Sequence, residues 1–342
     1  MNIPTLVGKC VRRAISAGCL TLAVTSVVWA VEFTARIGHL ESDWQSRHVH
    51  LVKVAELVKE RTGGAVEFQI FPSAQLGNQR EMIRGVQLGT IQATVSPAAF
   101  IGDFNPAVSI LDIPFLLPAD ADEAQKLREG AFGAALLETF ASKGVVGVSL
   151  WPNGLKNFTS NKPLDDLSSF KGQKFRIMDS KILTKQFEAL GASAIALPFA
   201  ELYDSLQSGV VDGQENPLDT IRSMKLNEVQ NYLVVSEHGA IEDVALFNPI
   251  WWNSIPDAYR KIIKQAFAEV VPALREHKAK AVAVALEEMK AGEINVRVAS
   301  DEERSALREK VIYRAKAAYI DRTGEAGKQL LSAYEKAIAD LN

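Results

Sequence analysis

Short apolar runs alternate with longer stretches in which apolar and charged residues recur at helical spacing, the pattern of an α/β chain with mostly parallel strands. Residues 31–37 predict a strand, 44–61 a helix, 65–71 a second strand stopped by Pro72, 79–88 a helix and 91–96 a third strand. This βαβαβ order opens a doubly wound lobe. In the first helix Val49, Val52, Leu57 and Val58 read as the buried stripe, with Lys53, Glu56, Lys59 and Glu60 turned to water. Residues 110–117 are apolar but interrupted at Pro114, so they predict a strand or extended segment. Asp120 and Asp122 supply caps for helices ending at Gly144, and residues 145–150 predict a strand.

The polar stretch 152–162 is the best place for the chain to cross into a second lobe. Beyond it the pattern predicts a strand at 174–178, helices at 180–190 and 200–208, and strands at 232–236 and 244–248 that return toward the first lobe. A helical pattern covers 256–290 with Pro272 as its one breaker, long enough to act as a strut across both lobes and kinked at the proline. A last strand at 294–298 precedes a helical end interrupted at Gly324 and Gly327.

The first thirty residues change the picture. Lys9, Arg12 and Arg13 form a basic start, an apolar stretch follows, and Val28-Trp29-Ala30 offers a small-residue cleavage pattern, so residues 1–30 predict a secretory signal and an exported, periplasmic protein. That stretch is too short to span a bilayer comfortably, which takes about 20 residues. Both cysteines, Cys10 and Cys19, fall inside the first thirty residues, so the exported chain has no thiol for a disulfide or a thiolate metal site. Without Lys9, Arg12 and Arg13 the 38 basic residues become 35 against 41 acidic ones, a net charge of −6 that is a poor match for nucleic acid. The remaining 312 residues of the 342 exceed the size at which one core usually keeps growing, roughly 250–300. No linker composition divides them, so two interwoven lobes joined by a hinge are expected: 31–153 plus 242–281, and 154–241 plus 282–342.

Catalytic motifs are missing: there is no G-x-S-x-G, H-E-x-x-H, P-loop or G-x-G-x-x-G sequence. His48 and His50 are two apart and point to different sides of a helix, which disfavours a metal pair. No cofactor is implied. In Lys174-Phe-Arg-Ile-Met178, by contrast, strand alternation puts Phe175 and Ile177 on one face and Arg176 on the other. A guanidinium there can hold a carboxylate through two parallel hydrogen bonds, which a lysine cannot copy. Read alone, Arg176 is equally an ordinary exposed strand arginine.

The surrounding motifs decide between these readings. Phe71-Pro-Ser-Ala-Gln-Leu-Gly77, Trp151-Pro-Asn-Gly154, Lys171-Gly-Gln-Lys-Phe-Arg176, Pro198-Phe-Ala-Glu-Leu-Tyr203 and Gly209-Val-Val-Asp-Gly-Gln-Glu-Asn-Pro217 follow one another in an order and spacing that resemble the DctP-type solute-binding proteins of tripartite (TRAP) transporters. The resemblance implies a two-lobe periplasmic-binding-protein-like fold with a long interlobe helix, and binding rather than catalysis. It matches Arg176 to a carboxylate-clamping arginine, Asn216 to an asparagine on the same ligand and Phe199 to a ring lining the cleft. Lys156 stands where many members have a second arginine, which implies a contact to a second polar group and favours C4-dicarboxylate-like acids. In the first lobe, His39, Trp44, Gln79 and Ser96 lie in segments where the family contacts ligand. The implied partners are a small organic acid and the TRAP membrane permease, with the protein itself not membrane-embedded. Alternatives are a sugar acid, a hydroxy or 2-oxo acid, an aromatic acid, presentation of ligand to a sensor kinase, or an exported enzyme acting on a carboxylate.

Overall fold

The computed structural model of the chain describes residue 1 and residues 31–341, so the predicted signal segment lies outside the described residues apart from Met1. The elements run β1 (Phe33–Gly38), α1 (Ser46–Arg61), β2 (Val66–Phe71), α2 (Gln79–Leu88), β3 (Ala93–Pro97), α3 (Ala121–Glu129), α4 (Ala131–Glu138), β4 (Val146–Leu155), β5 (Asn157–Ser160), β6 (Lys174–Ile177), α5 (Lys181–Ala189), β7 (Ser193–Ala196), α6 (Leu202–Gln207), β8 (Gly213–Asn216), α7 (Leu218–Ser223), β9 (Tyr232–Val235), β10 (Ala240–Phe247), α8 (Pro249–Ser254), α9 (Asp257–Glu269), α10 (Val271–Ala291), β11 (Asn295–Val298) and α11 (Asp301–Ala339). The first sheet has the order β2-β1-β3-β10-β4 and the second β11-β9-β5-β8-β6-β7. The opening βαβαβ pairs β1 in parallel with both β2 and β3, whereas β10 runs antiparallel between β3 and β4. Each sheet is therefore mixed.

Pleating sorts side chains to the two faces. Along β10, Val244 and Leu246 join the core with Met82, Ile110, Phe132 and Tyr334, while Ala245 and Phe247 join Leu51, Val54, Phe267 and Leu274 on the other face. Burying a side chain the size of Leu246 or Phe247 stabilises the lobe by roughly 1.5–3 kcal/mol each. In the second lobe Phe158, Phe175 and Phe187 occupy one face and Leu202, Leu218, Ile221 and Met289 the other.

The chain leaves the first sheet at the end of β4 and returns at the start of β10. These two crossings are tied together, Lys156 N donating to Gly239 O at 2.7 Å and His238 N to Lys156 O at 3.2 Å. Gly154, beside this hinge, has φ +136°, and a Cβ there would meet Pro217 Cβ at 3.0 Å, so the close passage of the two lobes requires a glycine. The predicted helical stretch 256–290 is two helices, α9 and α10, that part at Val270 just before Pro272; α10 alone is the strut, with Leu274 in the first lobe's core and Ala285 and Met289 in the second's. α11 bends at Gly324, whose φ and ψ are 60° and −136°, and also bridges the lobes. Leu307 and Val311 pack in the second lobe, while Tyr319, Leu330 and Tyr334 enter the first lobe's core beside Ile110 and Leu116.

Two local readings change. Pro106–Asp112 is a 3-10 helix, not a strand, because Asn105 caps Ala107 N and Pro106 fixes a helical φ at the first position. The buried stripe of α1 is Arg47, His50, Leu51, Val54, Leu57 and Val58, whereas Val49 is 41% exposed. The stripe is rotated by about one position, and that rotation puts Arg47 inside.

Candidate functional site

A small cavity lies where the lobes meet, walled by Glu41, Arg47, Pro97 and Phe100 from the first lobe, by Arg176, Phe199, Asn216 and Thr220 from the second, and by Asn153 at the end of β4. Its volume is about 30 Å³. That is space for only about two waters at ~10–15 Å³ each, so the lobes are shut on one another. Arg80 of α2 pairs with Asp179 after β6, and Gln45 Nε2 donates to Ser223 Oγ at 3.0 Å, both contacts running between lobes. Arg80 is largely exposed, its side chain retaining 79% of its accessible surface.

Arg176 projects from β6 away from Phe175 and Ile177, as alternation requires, and is 1% exposed. Its Nε and Nη2 both donate to the Leu197 carbonyl, at 3.1 and 2.8 Å, and its guanidinium lies 5.9 Å from the Phe100 ring centre. Among the described residues no carboxylate forms an ion pair with it. Burial drives its pKa down to about 10, with Glu215 only partly opposing. A buried cation with one neutral acceptor is poorly compensated and is a strong site for an incoming anion.

Asn216 ends β8 beside Arg176, since Arg176 pairs in register with Gln214 on the neighbouring strand and Gln214 and Asn216 share a face. Its Nδ2 donates to Gln214 Oε1 at 2.5 Å, and Pro217 then turns the chain into α7. Phe199 sits in a short 3-10 turn after Pro198 and contributes its ring to the cavity wall. Arg176, Asn216 and Phe199 are thus brought together.

Lys156 is not among the residues walling the cavity. It is 2% exposed and its Nζ donates to Glu215 Oε1 at 2.7 Å. Glu215 precedes Asn216 on β8 and so faces the other way, toward α5, where its Oε2 accepts from Gln186 Nε2 at 2.6 Å and meets His238 Nε2 at 2.8 Å. Burial pushes the Glu215 carboxyl up, but Lys156 and His238 outweigh it and leave it at about 2. His238 stacks on Phe158 with ring centres 3.7 Å apart, and burial lowers its pKa to about 4, keeping it neutral. The lysine expected to touch ligand is engaged with a carboxylate behind the sheet.

The first-lobe candidates scatter. Gln79 is 2% exposed, with Nε2 unpartnered, and lines a neighbouring pocket that shares Phe100 with the central cavity and reaches Leu197 and Pro198 opposite. His39 is fully buried, its Nε2 3.1 Å from His48 Nδ1, and burial holds its pKa near 3. Ser96 is fully buried 3.1 Å from Thr94 Oγ1, and Trp44 is 53% exposed. None of these last three walls the cavity.

Sequence reading missed Arg47. It is 3% exposed on the inner face of α1, with Nε and Nη2 on Asp243 at 2.7 and 2.8 Å and Glu41 3.4 Å from Nη2. The signal was available: Arg47 lies four residues before Leu51 and seven before Val54, on the buried face. Asn153 joins the same group, its Nδ2 donating to Asp243 Oδ1 at 3.0 Å.

Comparison with known proteins places this geometry. The model of bacterial extracellular solute-binding proteins, family 7 (DctP), matches residues 37–321. The chain is 32% identical over 256 residues to a C4-dicarboxylate-binding periplasmic protein DctP of Rhodobacter capsulatus, covering 75% of this chain and 77% of that one. Among solved structures, a TRAP periplasmic solute-binding protein from Desulfovibrio salexigens with bound orotic acid superposes with a TM-score of 0.90 at 58% identity, covering 91% of this chain and 100% of that one. Another from Sulfurospirillum deleyianum, with bound succinate, gives a TM-score of 0.80 at 30% identity, covering 90% and 99%. The chain belongs to the DctP family of bacterial extracellular solute-binding proteins, the ligand-binding receptors of TRAP transporters.

Proposed function

We propose that the protein captures a small organic acid in the periplasm by its carboxylate, on Arg176, and delivers it to a TRAP membrane permease. The observation that carries this reading is the buried Arg176 guanidinium, which lines the interlobe cavity with no carboxylate of its own. Phe100 and Phe199 provide apolar surface for the acid's body, and Asn216 provides a further polar contact at the strand-to-helix corner. Because the closed cavity is smaller than any such acid, capture requires the lobes to separate about the paired crossings at Lys156 and Gly239 and to close again. The acid leaves chemically unchanged.

A second carboxylate on the ligand finds less support. Lys156 is engaged with Glu215, and the other cation on the cavity wall, Arg47, already faces Asp243 and Glu41. The notion of a C4-dicarboxylate therefore rests on the relatives that bind one, while the 58%-identical relative with orotic acid supports a ring acid. Calorimetry with orotate against orotamide, and with succinate against succinamide, tests the carboxylate clamp. At least one acid is expected to bind and its amide to bind at least tenfold more weakly, whereas an amide as tight as its acid rejects the clamp.

A further inference from the structure

Arg47 is nine-tenths and more buried, walls the cavity, and has one nitrogen, Nη1, with no hydrogen-bond partner. A buried N–H donor left unpaired is costly, and a group bound in the cavity that Arg47 walls can supply the missing acceptor. Beside it stands Glu41, 5% exposed and also on the cavity wall, whose Oε2 accepts from Arg47 N at 3.1 Å. A carboxylate oxygen has more than one lone pair, so Glu41 can accept again.

The charge around this pair is already negative. Arg47 and Lys278 face three carboxylates, Glu41, Asp219 and Asp243, with Lys278 Nζ 2.6 Å from Asp219 and 4.0 Å from Glu41. Across the cavity Arg176 is positive and unpaired. The two walls are therefore unlike: one attracts an anion, the other repels one while offering a donor and an acceptor side by side.

We infer that Arg47 and Glu41 form a specificity subsite for a neutral amide edge, a ring C=O accepting from Arg47 Nη1 and an adjacent ring N–H donating to Glu41, so that the preferred ligands are cyclic-amide monocarboxylates and not dicarboxylates. This rests on the carboxylate clamp at Arg176, with the ring held between Phe100 and Phe199. It assigns each end of the ligand to one lobe, which makes closure depend on both ends. The asymmetry also explains how one cavity rejects a succinate-like acid: its second carboxylate would approach Glu41 and Asp243.

The test is calorimetry on wild-type, Arg47→Lys and Arg176→Ala protein with three probes: orotate, which carries the amide edge; benzoate, a flat carboxylate without it; and succinate. Wild-type protein is expected to bind orotate at least about tenfold more tightly than benzoate or succinate, since a site built to pair with polar groups rejects ligands that lack them. Arg47→Lys keeps the charge beside Asp243 but loses the forked donor. It is expected to reduce the orotate-to-benzoate affinity ratio by about tenfold. An orotate ratio unchanged in folded Arg47→Lys overturns the subsite, as does wild-type protein that binds orotate no better than benzoate or prefers succinate. The wild-type comparison stands even where Arg47→Lys does not fold. Arg176→Ala separates the two readings: loss of both ring acids alike supports the clamp whatever Arg47 does, and no loss of either rejects the clamp itself.

Discussion

Two buried cations flank strand β8 of the second lobe and have opposite fates. Lys156, between β4 and β5, is closed into a network in which Glu215 accepts from its ammonium and from Gln186 while His238 completes the set. Arg176, on β6, is as deeply buried, but among the described residues its side chain hydrogen-bonds to the Leu197 carbonyl and to no carboxylate. Between them runs β8, whose pleat turns Glu215 toward Lys156 and leaves Asn216 facing the cavity with Arg176. The same depth of burial thus yields a structural ion pair on one side of the sheet and an uncompensated charge on the other. The ion pair ties the segment before β5 to β8, whereas the unpaired charge is tolerated only because the rest of the fold imposes it.

The largest expected stability effect breaks the paired side. Lys156→Met leaves the buried Glu215 carboxylate without its cation and is expected to cost about 3–5 kcal/mol in denaturant unfolding. A loss below about 1 kcal/mol would mean that Glu215 does not depend on Lys156. A double change, Lys156→Met with Glu215→Leu, is expected to recover much of the loss, because both charges then leave together.

Acid gives the next effect. His238 has a folded pKa of about 4, below its unfolded value near 6.5, so between these limits the unfolded chain binds the extra proton. Stability contributed by neutral His238 is therefore complete above about pH 6.5 and is lost as pH falls toward 4, with a limiting slope of about 1.4 kcal/mol per pH unit. Unfolding measured against pH should be steeper for wild-type protein than for His238→Gln in that window. Equal slopes would place the proton elsewhere. The smallest effect belongs to the exposed interlobe pair: Arg80→Ala is expected to change stability by less than about 1 kcal/mol, and a larger loss in thermal unfolding would give that contact a role its exposure does not suggest.

How far this contrast is legible in the sequence follows from the range of the interactions involved. Strand alternation around Arg176, the proline that turns β8 into α7, the opening βαβαβ and the helical pattern interrupted near Pro272 are set by neighbours in the chain, and sequence reading finds them. The partner of Lys156 is 59 residues away, at Glu215, and that of Arg47 is 196 residues away, at Asp243. Neither pairing leaves a local trace, so a lysine engaged behind the sheet reads as a ligand contact and an arginine on the cavity wall reads as one more polar helix residue. The start of the run 110–117 reads as extended because a short apolar run has no period to separate strand from 3-10 helix, and residues 110–112 instead end the 3-10 helix that Asn105 caps. Similarly, nothing local tells that the second half of α11 completes the first lobe's core at Leu330 and Tyr334.

The central claim is that Arg176 is kept buried and unpaired for the sake of an incoming carboxylate, and Arg176→Met tests it in one pair of measurements. Without ligand, denaturant unfolding is expected to show stability unchanged or raised by up to about 2 kcal/mol, since an uncompensated buried charge has been replaced by an apolar chain. Calorimetry on the same sample is expected to show affinity for the acid reduced by roughly 30-fold to several thousand-fold, the ~2–5 kcal/mol typical of losing one partner of a buried charged pair. A folded Arg176→Met protein that binds its acid as tightly as the wild type would contradict the account.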